Sequence, residues 1–422
     1  MALTKLTTNL ISGDIVTSVN GASGAVTVST GTDWVNSIQT ANFTAVASKG
    51  YFVNTTSAEI TVTLPVGVVG TEIIIQDYAG TFATNKVIFA ANGSEKIQGV
   101  TDDFKCITNN ATVTLVYQDA TKGWTSQDIT ELSQNLSVDY LLVAGGGAGI
   151  YGGGGGGGLL TTTNYGGTES VLTLTTGTNY AVTIGAGGSA PSSSQNTAIA
   201  QQGGNSIFSS ITSIGGGGGA GANTTANSFM NGGSGGGGTG GIGGSNFVGG
   251  TGVSGPPRQG FDGGIGRLTS TGGAGQSDGP GGGGGATALG ANGTKDGTYE
   301  IGGAGGAGKT VGITNVNLGY AGGGGGTTFV GSIAGGGATD GGGTGGSGSG
   351  SPAGVSGAAN KGGGGGGGAA GTMGSGGSGV VVLRYTSGFT LTVPAGLTAT
   401  TTTVGSIKIT IFTAGTGNVQ FN

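Results

Sequence analysis

The stretch DYLLVAGGGAGIYGGGGGGGLL, residues 139–160, decides how this chain folds. Within it, Gly147 to Gly152 fits the dinucleotide-binding pattern G-x-G-x-x-G, and Glu169 follows where a ribose-binding acid would stand. That pattern binds a pyrophosphate only where a strand turns into a helix whose first amides face the phosphates. Here the helix would have to form from Gly152–Gly158, and each glycine costs a helix about 1 kcal/mol relative to alanine. We therefore expect no nucleotide cofactor, and a structural role for these glycines.

The composition limits both the fold and the partners. Glycine makes up 108 of the 422 residues, and 92 of these glycines lie in residues 145–379, a block with only eleven charged residues. The net charge is −5, which argues against a nucleic-acid partner because phosphate contacts need a basic surface. No apolar run approaches the ~20 residues of a membrane helix, so we expect no membrane insertion. Cys106 is the single cysteine of the chain, which excludes a disulfide framework and a zinc cluster. We therefore expect no metal site.

Glycine runs have a specific structural use. In the polyproline II conformation a chain has three residues per turn, a rise of about 3.1 Å and no internal hydrogen bonds, so its amides and carbonyls point outward. Neighbouring glycine chains in this conformation can bond laterally in a hexagonal bundle, which any inward Cβ would wedge open. Uninterrupted runs such as Gly152–Gly158 and Gly362–Gly368 fit this requirement. The predicted fold class is all-β modules plus a glycine-rich domain of packed polyglycine II helices with β-strand borders, and almost no α-helix.

Composition and turn signals divide the chain. Ile60, Val62 and Leu64 alternate in AEITVTLP, one of several short strands whose spacing over about a hundred residues suggests a sandwich. The adjacent acids Asp102 and Asp103 would point to opposite faces of a strand, so we interpret them as a solvated loop and not as a catalytic pair. The predicted segments are an N-terminal head (1–31), a β-sandwich-like module (32–130), a connector (131–139), the glycine-rich polyglycine II domain (140–386) and a C-terminal β tail (387–422).

Three stretches carry a family resemblance. YLLVAGGGAGIYGGGGGGGLL (140–160), LTLTTGTNYAVTIGAGG (172–188) and GGSGVVVLRYT (376–386) resemble the glycine-rich domain of tail-fibre and adhesin proteins of tailed bacteriophages. The head and the stretch beginning DWVNSIQTANF are similar to N-terminal modules of phage fibre proteins. The resemblance implies packed polyglycine II helices whose tip presents variable loops to receptors on the bacterial surface. It also implies a homotrimer that attaches to other phage tail proteins through its N-terminus.

Two further hypotheses compete with a phage tail fibre or adhesin that attaches to the host surface. One is an extracellular structural or ice-binding-type glycine-rich fibre protein without a viral role. That reading expects an export signal, and MALTKLTTNLISGDIV lacks the long apolar region of a signal peptide. We therefore expect the chain to be synthesised in the host cytoplasm and then to become part of the virion. The other is an enzyme, which we do not expect, because the chain has no His and acids are sparse in the glycine block.

Candidate receptor-binding residues are the aromatic and charged side chains between glycine runs, since exposed aromatics on a rigid scaffold bind at low entropic cost. Such side chains suit a surface glycan, and an outer-membrane protein is the other receptor class. Structural roles, such as capping the ends of the glycine bundle, are the alternative for each. The candidates are Phe229, Met230, Arg258, Phe261, Asp262, Lys295, Tyr299, Glu300, Asn317 and Tyr320.

Overall fold

The computed structural model describes residues 32–126, 132–191, 200–221, 228–239, 248–266, 279–296, 299–329, 335–348, 352–368 and 373–422, so the head expected over residues 1–31 lies outside it. The described chain is nearly all β, as predicted. Its helical segments are two 3-10 turns, Thr163–Tyr165 and Ser228–Met230, and neither has the length or apolar character to span a membrane. The chain divides into two compact units, Met1–Gln134 and Asn135–Asn422.

The first unit consists of two sheets. Its strands are β1 (Asp33–Gln39), β2 (Phe43–Thr44), β3 (Lys49–Val53), β4 (Ile60–Thr63), β5 (Glu72–Asp77), β6 (Val87–Ala90), β7 (Phe104–Cys106), β8 (Thr112–Asp119) and β9 (Gly123–Ser126). From β1 to β6 the strands alternate between the sheets, so β1, β3 and β5 stack in parallel in one sheet and β2, β4 and β6 in the other. Antiparallel pairing joins β7 to β6, β8 to β5, and β9 to β8. The winding is therefore a parallel coil that ends in antiparallel strands.

One apolar core lies between these two sheets. Ile60, Val62 and Leu64 are all buried within it, as their alternation predicts. Trp124 is fully buried, while Trp34 stacks on Phe52 with the ring centroids 4.6 Å apart. Two facing sheets around one core are what a sandwich provides. The parallel pairing was not predicted, because an alternating pattern buries one face of a strand whichever way its neighbour runs.

The second unit contains a sheet with the strand order β15-β14-β13-β23-β20-β10, and the hairpins β16–β17 and β18–β19 stand apart from it. Strand β10 includes residues 132–139, where a connector was expected. The C-terminal tail contributes β23, which pairs with β13, β20, β21 and β22. The strands are β10 (Leu132–Val143), β11 (Leu159–Thr161), β12 (Leu172–Thr175), β13 (Asn179–Thr183), β14 (Ser206–Phe208), β15 (Ile211–Ser213), β16 (Thr294–Asp296), β17 (Tyr299–Ile301), β18 (Lys309–Val311), β19 (Leu318–Tyr320), β20 (Val380–Thr386), β21 (Leu391–Thr392), β22 (Leu397–Val404) and β23 (Ile407–Phe421).

Both faces of the central strands are buried. Leu142 of β10 and Val381 of β20 belong to one apolar cluster, and their neighbours Leu141 and Val382 belong to another. Continuous apolar runs such as YLLV and VVVL are typical of strands that are covered on both sides. These two strands lead directly into and out of the glycine block, and thus anchor it to a conventional apolar core.

The glycine block is a hexagonal packing of extended segments. In the first glycine helix, residues 144–150, the amides donate in turn to three neighbours over donor–acceptor distances of 2.9–3.1 Å. Positions 144, 147 and 150 face one neighbour, 145 and 148 a second, and 146 and 149 a third. This period of three residues is that of the polyproline II geometry, so the predicted polyglycine II packing is confirmed. The carbonyls accept from further segments, and the six neighbours are residues 152–158, 188, 201–204, 216–219, 365–368 and 374–377.

The second glycine helix, Gly152–Gly158, is surrounded in the same way. Its amides donate to residues 214–220, 281–284 and 362–365, and its carbonyls accept from residues 144–150, 234–237 and 324. A Cβ added to any of its seven glycines would lie 1.9–2.4 Å from an oxygen of a neighbouring segment, far inside any real contact distance. Only glycine fits these positions. The strand-to-helix turn of a dinucleotide-binding loop is replaced by an extended chain.

Candidate binding surface

The glycine block has two ends, defined by the first two glycine helices. The strand end lies at Ala144 and Gly158, which bond to each other (N···O 3.1 Å) and adjoin β10 and β11. The tip lies at the opposite end, where the chain turns back at residues 150–152 and the amide of Ile150 donates to the carbonyl of Gly152. Seven residues at about 3.1 Å each separate the two ends by roughly 20 Å.

Several other segments of the glycine block reach the tip. The amide of Tyr151 donates to the carbonyl of Ala220 at 3.1 Å, and the amide of Thr327 donates to the carbonyl of Tyr151 at 2.9 Å. The amide of Gly368 bonds to the carbonyl of Ile150, whose side chain packs with that of Met373. The tip is thus formed by segments that are distant in sequence but meet at the same end of the glycine block.

Two aromatic side chains pack against each other at this tip. Tyr151 and Phe329 meet edge to face with ring centroids 4.9 Å apart. The amide of Phe329 also donates to the carbonyl of Glu300 at 3.0 Å, which ties the β16–β17 hairpin to the pair. Burial raises the pKa of the Tyr151 hydroxyl above its usual value, so this group stays a neutral hydrogen-bonding group at physiological pH. At the tip, therefore, the Tyr151–Phe329 pair is joined to the β16–β17 hairpin by a backbone hydrogen bond.

Three of the predicted site residues come together on that hairpin. Lys295 of β16 lies directly opposite Glu300 of β17, and both are half-buried. Opposite charges at facing positions of a hairpin stabilise it modestly. Tyr299 pairs with Asp296 and is 46% exposed, so its ring is free to contact another molecule. These residues supply an aromatic face and charged groups of both signs at the tip.

Phe229 and Met230 lie in the 3-10 turn beside the tip, and only the first remains a surface candidate. Phe229 is 50% exposed, and its carbonyl accepts from the amide of Gly218, two residues before Ala220. Met230 is only 2% exposed, and its carbonyl accepts from the amide of Gly236. The expectation for Met230 is corrected, because its side chain fills space between glycine helices and cannot reach a receptor.

Arg258, Phe261 and Asp262 lie away from the tip. The amide of Leu159 donates to the carbonyl of Gln259 at 3.0 Å, which places this turn at the strand end. The Arg258 guanidinium carbon lies 4.3 Å from the ring centroid of Phe261. The carboxylate of Asp262 accepts from the amide of Gly252 at 2.8 Å, so it holds the local backbone. The sequence analysis placed these three residues in one set of receptor-binding candidates with those of the β16–β17 hairpin. The fold places the two groups at opposite ends of the glycine block.

Asn317 and Tyr320 also lie at the strand end, on the β18–β19 hairpin. Asn317 is exposed in the loop between the strands. Tyr320 is only 4% exposed and packs in the cluster that contains Leu141 and Val143. Burial accordingly raises the pKa of the Tyr320 hydroxyl. The expectation for Tyr320 is corrected, since an aromatic beside a glycine run proves to be part of the core.

Sequence reasoning missed Tyr151 and Phe329. A signal for Tyr151 existed, because Ile150 and Tyr151 are the bulky residues that interrupt two glycine runs where the chain must turn. Phe329 had no such signal, since its contact depends on a lattice neighbour far away in sequence. The described residues contain no group of three or more His, Cys, Asp or Glu side chains positioned to hold a metal ion. What the tip offers chemically is recognition by aromatic, hydroxyl and charged groups.

The fold and this surface define a class: an all-β protein whose polyglycine II lattice presents side chains at one end. Comparison with known protein families matches residues 121–386 to the glycine-rich domain family. The match covers more than half of the chain, so the chain belongs to that family. A comparison with curated protein sequences finds no match.

Proposed function

We propose that this protein is a bacteriophage tail fibre or adhesin that attaches to the host bacterial surface through the tip of its glycine block. The observation that carries the proposal is the convergence of several glycine helices on one tip, with Tyr299 and the Lys295–Glu300 pair raised on the hairpin there. The resemblance of the strand borders to phage adhesins gives the biological setting. A surface glycan is the favoured receptor, because aromatic and charged side chains suit sugars, and an outer-membrane protein is the other class.

The physical basis of attachment is a scaffold that does not bend. Backbone hydrogen bonds in six directions hold each of the first two glycine helices, so little conformational freedom remains at the tip. Binding by side chains on such a scaffold loses little entropy, which favours affinity. The protein acts by binding, and we propose no catalytic step and no cofactor.

Assembly follows the same proposal. Residues 1–31 join the chain to other tail proteins in the virion, after synthesis in the host cytoplasm. Three copies form the working fibre, in line with the closed cyclic symmetry common among identical chains. Native mass measurement should then give three times the chain mass of 39.6 kDa. A stable monomer or dimer at working concentration would refute the trimer.

Cell binding tests the proposal. The purified full chain, fluorescently labelled, is mixed with a panel of bacterial strains and cell-bound fluorescence is measured. We expect binding to a restricted set of strains. Tyr299→Ala should weaken it about tenfold, because exposed aromatic anchors dominate such interfaces. The matched control is Val316→Ala, which alters a 58% exposed side chain at the strand end and should bind like the parent.

Two results would contradict the proposal. One is equal loss of binding in both variants, which would remove the tip as the contact surface. The other is failure of antibodies against the chain to label phage tails in electron micrographs. Cell binding without labelled particles would point to a glycine-rich fibre protein that has no viral role.

A further inference from the structure

A shallow groove with a volume of about 160 Å³ lies at the strand end, remote from the tip. Its floor is β11, with Leu159, Leu160 and Thr161. Thr168 borders it on one side, and two cations reach it, Arg258 from a turn of the glycine block and Lys309 from β18. The volume is below the roughly 300–1,000 Å³ of sites for drug-sized ligands, so the groove suits one small group or a single sugar ring.

Among the residues that the structure describes, no acid forms an ion pair with Arg258 or Lys309. Arg258 donates from Nη1 to the carbonyl of Gly260 at 3.2 Å, and Lys309 donates from Nζ to the carbonyl of Gly166. A guanidinium has five N–H donors and an ammonium has three, so each cation keeps donors available for a ligand. Two cations with spare donors beside one groove are a strong concentration of positive charge in a glycine block that has so few charged residues.

The carboxylates nearby set the charge of the ligand. Oε1 of Glu169 accepts from the hydroxyl of Thr168 at 3.1 Å, which places one carboxylate at the groove's edge. Asp340 does not line the groove, and its Oδ2 accepts from the amide of Gly308 at 3.0 Å. Two cations line the groove, and they favour an anionic ligand. Glu169 repels any anion, but it repels a phosphate dianion about twice as strongly as a carboxylate monoanion.

We propose that this groove binds the carboxylate of an acidic sugar residue. The planar fork of Arg258 matches a carboxylate in two parallel hydrogen bonds, with the Lys309 ammonium as a second contact. The lining of the groove is part apolar and part polar, with Thr161 and Thr168 among its residues, and such a lining suits the apolar and polar faces of a sugar ring. The site is independent of the tip and does not depend on the attachment function.

Calorimetric titration of the full chain with glucuronic acid tests this proposal, with glucose, acetate and inorganic phosphate as comparison ligands. We expect glucuronate to bind more tightly than acetate and phosphate, and glucose not to bind measurably. Arg258→Gln and Lys309→Gln should each weaken glucuronate binding about 5- to 10-fold. Glu169→Gln should tighten it about twofold or more, because a repulsive charge is removed. Unchanged thermal melting shows that each variant is folded.

The control is Lys361→Gln, which removes one positive charge from the same unit at a residue that does not line the groove. Its affinity should stay within about twofold of the parent. Equal weakening by Lys361→Gln, glucose binding as tightly as glucuronate, or no glucuronate binding at millimolar concentration would each overturn the proposal. Acetate or phosphate binding as tightly as glucuronate would overturn the assignment to a sugar.

Discussion

Replacing Gly155 by Val in the middle of the second glycine helix tests the packing of the block. The new Cβ would lie 2.2 Å from the carbonyl oxygen of Ser234 and 2.8 Å from the carbonyl carbon and oxygen of Gly235. A backbone neighbour cannot move aside as a flexible side chain can. The helix must therefore shift away from that neighbour, which strains the 2.7 Å bond from Gly155 to Gly217 and the 2.9 Å bond from Gly147 to Gly155.

The expected loss of stability follows from these contacts. Each buried polar group left without its partner costs about 1–3 kcal/mol. Overpacking by the valine side chain adds about 1–3 kcal/mol. With two bonds disrupted, the total is about 3–9 kcal/mol, a large part of a typical unfolding free energy of ~5–15 kcal/mol. The transition of the second unit should fall by about 6 °C or more.

Differential scanning calorimetry of the full chain measures this shift, and the transition of the first unit should not move. Gly337→Val is the matched control, because Gly337 is exposed and a Cβ added there meets nothing within 4 Å. It should change stability by no more than about 0.5 kcal/mol. Equal melting of Gly155→Val and the parent would refute the packed lattice, since a loose glycine linker would accept the valine.

Three other predictions concern separate parts of the molecule. Asp77→Asn should destabilise the first unit by about 2–4 kcal/mol in denaturant unfolding, because the Asp77 carboxylate accepts from the amides of Ala79, Gly80, Phe82 and Asn110 at 2.9–3.2 Å; an unchanged midpoint would contradict this. Burial raises the pKa of Tyr320 and Tyr385 above the usual value of 10.0, so their stabilisation is complete below pH 10 and is lost as the pH rises through the folded-state pKa. Tyrosinate absorbance should therefore show groups that titrate near pH 10 in urea but later in the folded protein, and identical titration curves would be inconsistent with their burial. Deletion of residues 1–31 should leave a folded chain that binds cells but fails to enter particles, and normal incorporation on immunoblots of purified virions would rule out an attachment role for the head.

The glycine lattice was predictable because its cause is local. Seven consecutive glycines between Tyr151 and Leu159 strongly disfavour an α-helix, and their lack of side chains permits a close packing of extended chains. The alternation of Ile60, Val62 and Leu64 likewise identified a buried strand face. Patterns of this kind indicate whether a segment is closely packed or buried on one face, but not which segments surround it.

The remaining features depend on contacts between distant segments. Parallel stacking of β1, β3 and β5 leaves the same alternation as antiparallel pairing would. β23 was expected to belong to a separate tail, yet it pairs with β20 and β13, because strand partners are chosen by the whole sheet. Met230 and Tyr320 were predicted to be receptor-binding residues at the surface. Both are buried by neighbouring segments that the spacing of residues in the sequence does not identify. For the same reason the sequence did not separate the hairpin of Tyr299 from the turn of Arg258.

The most direct test of the central claim is an image of attachment. Electron cryotomography of phage particles bound to the bacterial envelope, with this chain marked by a small fusion at its C-terminus, locates the glycine block on the tail. The account predicts that the block lies at the outer end of a tail fibre, with the tip that carries Tyr151 and the β16–β17 hairpin turned toward the envelope. Density for the marked chain away from the tail, or a block whose strand end touches the envelope, would contradict it.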